Sequence, residues 1–328
     1  MTSQSSVPDD WRETVRSGRI NYETDVIKHY VRLNGWLPSC RRRKTKVKRR
    51  PFRYFTFCAA SAVDVFMLER DGILKRTQEG LLEATYFCEQ DAEQFEEIVN
   101  LIGTRGQGLL GKFEEIVLFK ETSETNGRTY LDPGPDKITD ILRRQLQLKD
   151  KHQQLVAAFP FDVINLDATG TLFPPRQGPV SDLINSIFTI LKWQAEKLLP
   201  SGNVVNEFTL LLTVQVDESA GNVGAIDQLC ELVQHNLDQR PEFLSRWIEE
   251  FAEVTPGNLA QQDFVRFFTI ALPKLLIEHG LSLAWDVTSD GRLLYQRTRG
   301  QNTYTMMCEV LTFMRLSSPP KRHGSETW

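Results

Sequence analysis

Short runs rich in aromatic and β-branched residues alternate along this chain with longer stretches whose apolar side chains recur every three or four positions. The first such run, Tyr54–Cys58, predicts a strand, and Ser61–Arg70 a helix closed by the Asp71-Gly72 turn. A second strand is expected over Ala84–Cys88. The helix after it, Asp91–Ile102, sets Phe95, Ile98, Val99 and Ile102 on one face, with Gly103 as its stop. Glu115–Phe119 holds an Ile-Val-Leu-Phe run suited to a buried parallel strand. Gly103, Gly106, Gly108 and Gly111 before it read as turn residues. They follow a helix and precede a strand, the reverse of a phosphate cradle.

The second half repeats the alternation. A polar surface loop is expected over Thr122–Pro135 and a charged amphipathic helix over Asp136–Gln154, with Ile138, Ile141, Leu142, Leu146 and Leu148 as its apolar side. Phe161–Asp167 reads as a buried strand that ends in a carboxylate and breaks into a turn at Ala168-Thr169-Gly170-Thr171. Ser181–Leu199 is a long helix and Glu207–Val216 a fifth, strongly apolar strand. Two or three helices fill Ala225–Gly280, with a kink expected at Pro273. Leu281–Thr288, Leu293–Arg297 and Tyr304–Met314 then form an antiparallel meander with turns at Ser289-Asp290-Gly291 and Arg299-Gly300-Gln301. The fold class is therefore α/β: a Rossmann-like, mostly parallel sheet flanked by helices, with antiparallel strands at the C-terminal edge. Residues 1–50 make an N-terminal helical segment and basic loop, 51–316 the α/β domain with a helical insertion at about 225–280, and 317–328 a disordered tail.

Composition narrows this picture little. The 328 residues are 41% hydrophobic and 25% charged, as in ordinary globular chains, and no apolar run reaches the roughly 18 residues of a membrane span. Met1–Asp10 has no apolar segment of signal-peptide type, so a cytoplasmic protein away from membranes is the expectation. The five cysteines are scattered, which fits neither a disulfide framework nor a zinc site; Cys58 and Cys88 read as buried thiols closing strands. Charge changes the picture more. The net −4 conceals eight cations in ten residues: Arg41, Arg42, Arg43, Lys44, Lys46, Lys48, Arg49 and Arg50. So dense a cluster repels itself and is stable either solvated or against an anion, nucleic-acid phosphate above all. A protein partner is the other occupant considered.

Candidate chemistry gathers where the strands end. Read from the residues alone, 52–95 have the order of a nucleotide-type βαβ unit, with backbone amides at the first turn and Glu89 at the second strand's tip for ribose hydroxyls. No glycine occupies Cys58–Leu68; Ala59, Ala60, Ser61 and Ala62 stand in the turn. Five β/α units followed by antiparallel strands, over residues 52–315, resemble the class I S-adenosylmethionine-dependent methyltransferases. The stretch Leu166-Asp167-Ala-Thr169-Gly170-Thr171 with Pro174 also looks like the Asp-Pro-aromatic-Gly segment of tRNA guanine N2-dimethyltransferases, alanine replacing the proline. The resemblance implies S-adenosylmethionine as cofactor. It assigns Cys58, Ala59 and Ala60 to the cofactor's methionine part, Glu89 and the adjoining Gln90 to its ribose, and Phe119 to adenine. Asp167, Thr169 and Gly170 fall beside the transferred methyl, with Asp167 as proton acceptor, and Asp64 could replace glycine-loop contacts by bonding the cofactor's amino group. Where the family has Gly-x-Gly, this chain has side chains that narrow the turn.

Two other classes compete. A methyltransferase-like fold that has lost its chemistry would serve as a subunit or nucleic-acid adaptor, which the glycine-free turn favours. Asp167-Ala-Thr169-Gly170-Thr171 also resembles the first motif of haloacid-dehalogenase-type phosphotransferases, with Asp167 as nucleophile, Asp286 and Asp290 holding magnesium, and Lys274 the available lysine.

Overall fold

The computed structural model describes residues 22–58, 62–102, 106–120, 135–174, 182–216, 222–299 and 301–317. The chain enters through α1 (Tyr22–Val31), a π-helical turn (Arg32–Trp36) and α2 (Leu37–Lys46). β1 (Tyr54–Thr56), α3 (Val63–Arg70), β2 (Thr85–Glu89), α4 (Ala92–Ile102), β3 (Gly108–Leu110), α5 (Phe113–Val117) and α6 (Pro135–Ala158) follow. Next come β4 (Val163–Thr171), α7 (Asp182–Glu196), β5 (Glu207–Gln215), then α8 (Val223–Gln239), α9 (Pro241–Phe251), α10 (Pro256–Gln262) and α11 (Phe264–Ser282). The long pair β6 (Trp285–Arg299) and β7 (Asn302–Arg315) closes the fold.

The seven strands form one sheet in the order β3-β2-β1-β4-β5-β7-β6. β1 to β5 are parallel, and β7 is antiparallel to both β5 and β6. This is the doubly wound order with a reversed strand slipped in beside β5. The order turns back on itself between β1 and β4, the kind of switch point where such sheets take ligands.

Both faces of the sheet are covered, so neighbouring residues on a strand serve opposite cores. Phe55, Cys88, Ile164, Leu166, Leu210 and Leu212 face the layer that includes α5 to α8 and α11. Tyr54, Phe87, Val163 and Leu211 face the opposite layer, built from α1 through α4. That two-sided burial explains why the parallel strands read as continuous apolar runs. Gly108 owes its identity to this packing: a Cβ there would sit 2.5 Å from the Phe87 ring and 2.7 Å from Phe95.

Several expectations need correction. The Ile-Val-Leu run within Glu115–Phe119 is not the third strand. Residues 113–117 form the short helix α5, which buries Phe113, Ile116 and Val117, and the strand is Gly108–Leu110 upstream. A short apolar run carries no period that separates strand from helix. The C-terminal meander is two strands, not three. Ser289-Asp290-Gly291 is a register shift within β6, while the Arg299–Gln301 reversal stands. Four helices, not two or three, occupy the insertion, and α11 continues past Pro273 to Ser282. β4 does not break after Asp167 but runs on, with an irregular register, to Thr171. Leu146, placed on the apolar side of α6, is exposed. The expected basic loop is largely the helix α2. The loop expected from Thr122 lies, as far as Gly134, outside the described residues, as do the first 21 residues and the last 11.

Candidate functional site at the switch point

Strand register builds the site. Thr56 of β1 pairs with Phe87 of β2 and with Asn165 of β4. Two residues further along each chain come Cys58, Glu89 and Asp167, which therefore stand level at the C-terminal rim. Of the predicted residues, Ala59 and Ala60 lie outside the described residues. Ala62, which delivers the chain into α3, is buried with φ 46°, a left-handed conformation that glycine usually supplies.

The three level residues have different surroundings. The Cys58 thiol is buried, and burial first, then the Asp64 carboxylate, pushes its pKa well above the ordinary thiol value. It is an inert packing group rather than a nucleophile. Glu89 is half-buried and accepts a bond from the Asp91 amide at 2.9 Å through Oε1, while Asp91 caps α4 through the Gln94 amide. Gln90 beside it is exposed.

Asp167 is held by an ion pair that sequence reasoning did not anticipate. Lys28 Nζ of α1 donates to its Oδ2 at 2.7 Å, with the two side chains 11% and 7% exposed. Burial alone would push the Asp167 pKa up. Lys28, Arg32 and Arg297 together outweigh that penalty and hold the carboxyl below its ordinary value. Its second oxygen, Oδ1, is buried without a hydrogen-bond partner. Trp36 pins the covering segment to the sheet by donating its indole N–H to Cys308 Sγ on β7 at 3.1 Å.

Other predicted residues are elsewhere or otherwise engaged. Asp64 does not lie on the helix surface. It is 4% exposed and accepts bonds through Oδ2 from Tyr54 Oη and Thr56 Oγ1, both at 2.7 Å, and from Asn165 Nδ2 at 3.2 Å. This buried network ties α3 to β1 and β4 beneath the rim. Phe119 follows α5 instead of ending a strand, and its ring lies 5.8 Å from that of His152. Thr169 and Gly170 lie within β4, with Gly170 exposed. The phosphotransferase set does not assemble. Asp286 pairs with Met314 at the level of Glu207, at the start of β5, whereas Asp167 pairs with Thr213 near that strand's end. Asp290 is bound by Arg42 and Thr312, and Lys274 lies over the Phe243 ring at 3.5 Å.

The eight basic residues are mostly spent inside the protein. Arg41 pairs with Asp71, Arg42 with Asp290 at 3.0 Å and Lys46 with Glu207 at 2.6 Å. Arg43 and Arg50 converge on Asp162, just before β4, at 2.9 and 2.6 Å. Lys44 lies over the Phe52 ring, 5.7 Å from its centroid. Only Lys48 and Arg49 of the eight are exposed without a described partner. Four elements supply the opposing carboxylates, which is how a helix accommodates such a charge run.

Sequence reasoning thus missed Lys28, Arg32, Tyr295 and Arg297 at the rim. The one local signal was the spacing of Lys28 and Arg32, which puts two cations on one face of a helix. Among the described residues no group of histidines, cysteines and acids is arranged to hold a metal, and no helix is long and apolar enough to cross a membrane.

A model of the PP_RS20740-like family matches residues 135–322, more than half of the chain, a span that includes Asp167 and Arg297 but neither Glu89 nor α1. No curated protein matches the chain.

Proposed function

This chain belongs to the PP_RS20740-like family, and we propose that it is a methyltransferase-like protein that binds a nucleoside-type ligand without transferring a methyl group. The parallel order with its reversed edge, and the level placement of Glu89 and Asp167 on either side of β1, support a ligand crevice at this rim. S-adenosylmethionine is the first ligand to test. Glu89 keeps one carboxylate oxygen beyond the Asp91 bond for a ribose hydroxyl.

The observation that carries the non-catalytic half is the buried Lys28–Asp167 pair. A proton acceptor needs appreciable basicity. One Asp167 oxygen is tied to Lys28, and the lowered pKa makes the carboxylate a weaker base. The sequence also has alanines where the methyltransferase motif has glycines. In this reading the protein acts as a ligand-sensing subunit, a cytoplasmic setting being part of the proposal.

Calorimetric titration with S-adenosylmethionine tests it. Binding is expected, with no methyl incorporated into nucleic acid or protein, and Glu89→Ala should weaken it about tenfold, the loss of roughly one good hydrogen bond. Unchanged affinity in Glu89→Ala would reject the ribose assignment, and methyl incorporation would reject the non-catalytic reading. A nucleic-acid interface at Arg41–Arg50 is the second reading. It retains Lys48, Arg49 and the outward sides of the exposed pairs, far less charge than the bare sequence offers.

A further inference from the structure

Arg32 is the least explained residue at the rim. It opens the π-helical turn, a geometry found disproportionately at functional sites because the wide turn re-aims its side chains. The residue is 5% exposed, and its guanidinium carbon lies 5.6 Å from the centroid of the Trp36 ring. Two of its nitrogens, Nε and Nη1, are buried with no acceptor. An arginine's charge is permanent, and burying it with unmade hydrogen bonds is costly. Such an arginine is usually completed by a ligand or ordered water.

Its neighbours say which ligand. Three cations act on the single Asp167 carboxylate: Lys28, which is paired to it, Arg32, and Arg297, which is partly exposed on β6 and has no described partner. His29 adds little positive charge, since burial and then Arg32 lower its pKa. Tyr295 adds no negative charge, because burial and then Asp167 push its phenol pKa up. The three cations outnumber the carboxylate they act on, and a phosphate offers them more acceptor oxygens than a single carboxylate does.

We infer that Arg32, with Arg297 and Lys28, forms a phosphate-monoester subsite beside Asp167, so that the ligand of this protein is a nucleoside monophosphate. The sugar and base half of that ligand rests on the nucleoside reading above; the anionic half rests on Arg32 and its surroundings alone.

Titration of the full chain with four probes separates the two. Adenosine 5′-monophosphate should bind at least tenfold more tightly than adenosine, and inorganic phosphate should compete with it. Arg32→Gln and Arg297→Gln should each lose about tenfold for the monophosphate and almost nothing for adenosine. Equal binding of monophosphate and adenosine overturns the subsite and leaves the nucleoside reading standing. Stabilisation by inorganic phosphate that Arg32→Gln abolishes, with no nucleoside bound, keeps the subsite and removes the nucleoside. S-adenosylmethionine as the only probe sensitive to Arg32→Gln makes the anion a carboxylate and overturns the phosphate assignment, and silence from all four probes overturns both. Should Arg32→Gln fail to fold, the wild-type ratio of monophosphate to adenosine and the half-exposed Arg297→Gln decide the matter.

Discussion

Asp162 and Asp167 stand five residues apart, one just before β4 and the other at its middle, and each meets cations from the N-terminal segment. Asp162 is complete. Its buried carboxylate accepts from Arg43 at 2.9 Å, from Arg50 at 2.6 and 2.7 Å and from the Arg53 amide at 3.0 Å, using both oxygens. Asp167 is not. It has one lysine on one oxygen, while its other oxygen and two nitrogens of the neighbouring Arg32 go without partners. A satisfied buried carboxylate fixes the structure around it, although Nε of its partner Arg43 is itself buried without an acceptor. The Asp162 end clasps the N-terminal segment to the sheet, and the Asp167 end is the one to which the proposed phosphate subsite is assigned.

The largest expected effect would break the Asp162 end. Asp162→Ala leaves Arg43 and Arg50 facing a buried gap and should cost about 3–5 kcal/mol in urea unfolding, as for other buried pairs that lose one partner. It should leave nucleoside binding per folded molecule unchanged. A loss below about 1 kcal/mol would mean that the clasp is not what holds α2 down.

At the other rim, Lys28→Met should cost less, about 2–3 kcal/mol, because Arg32 and Arg297 still attract the carboxylate. Adding Asp167→Leu to Lys28→Met should not recover that loss, since it removes the one carboxylate that faces the buried Arg32. Full recovery in the double variant would mean that Arg32 does not depend on Asp167 for its counter-charge.

A pH series sharpens the contrast further. The folded Asp167 pKa lies below the ordinary value near 3.8, so its contribution to stability is present above that value and lost as pH falls through the folded pKa. Measured by urea at about pH 7 and about pH 3, the stability gap between wild type and Lys28→Met should narrow at the lower pH. A gap that widens on acidification would reverse the sign assigned to the pair.

The smallest effect concerns the basic segment. If Lys48 and Arg49 are its free cations, the slope of log affinity for nucleic acid against log salt should be about −2, not the roughly −7 that all eight would give. Gln at those two positions should flatten it. A steeper slope would require the paired arginines of α2 to release their carboxylates on binding.

Much of the framework was legible in the chain. The alternation of apolar runs located β1, β2, β4 and β5 and the helices between them. It also placed Glu89 at a strand end, though not Asp167, whose strand runs on to Thr171, because two-sided burial and helical amphipathicity each write a period into a short window. The failures share one cause. Glu115–Phe119 became a helix because tertiary packing of Phe113, Ile116 and Val117 settled what four apolar residues could not. The Arg41–Lys46 charges sit on a helix because Asp71, Asp290, Asp162 and Glu207 arrive from four distant places to meet them. Periodicity is local, and the sequence by itself determined it. Which carboxylate is satisfied and which is left waiting depends on partners 112 to 139 positions away, and only the closed sheet, with α1 laid across its rim, could decide that.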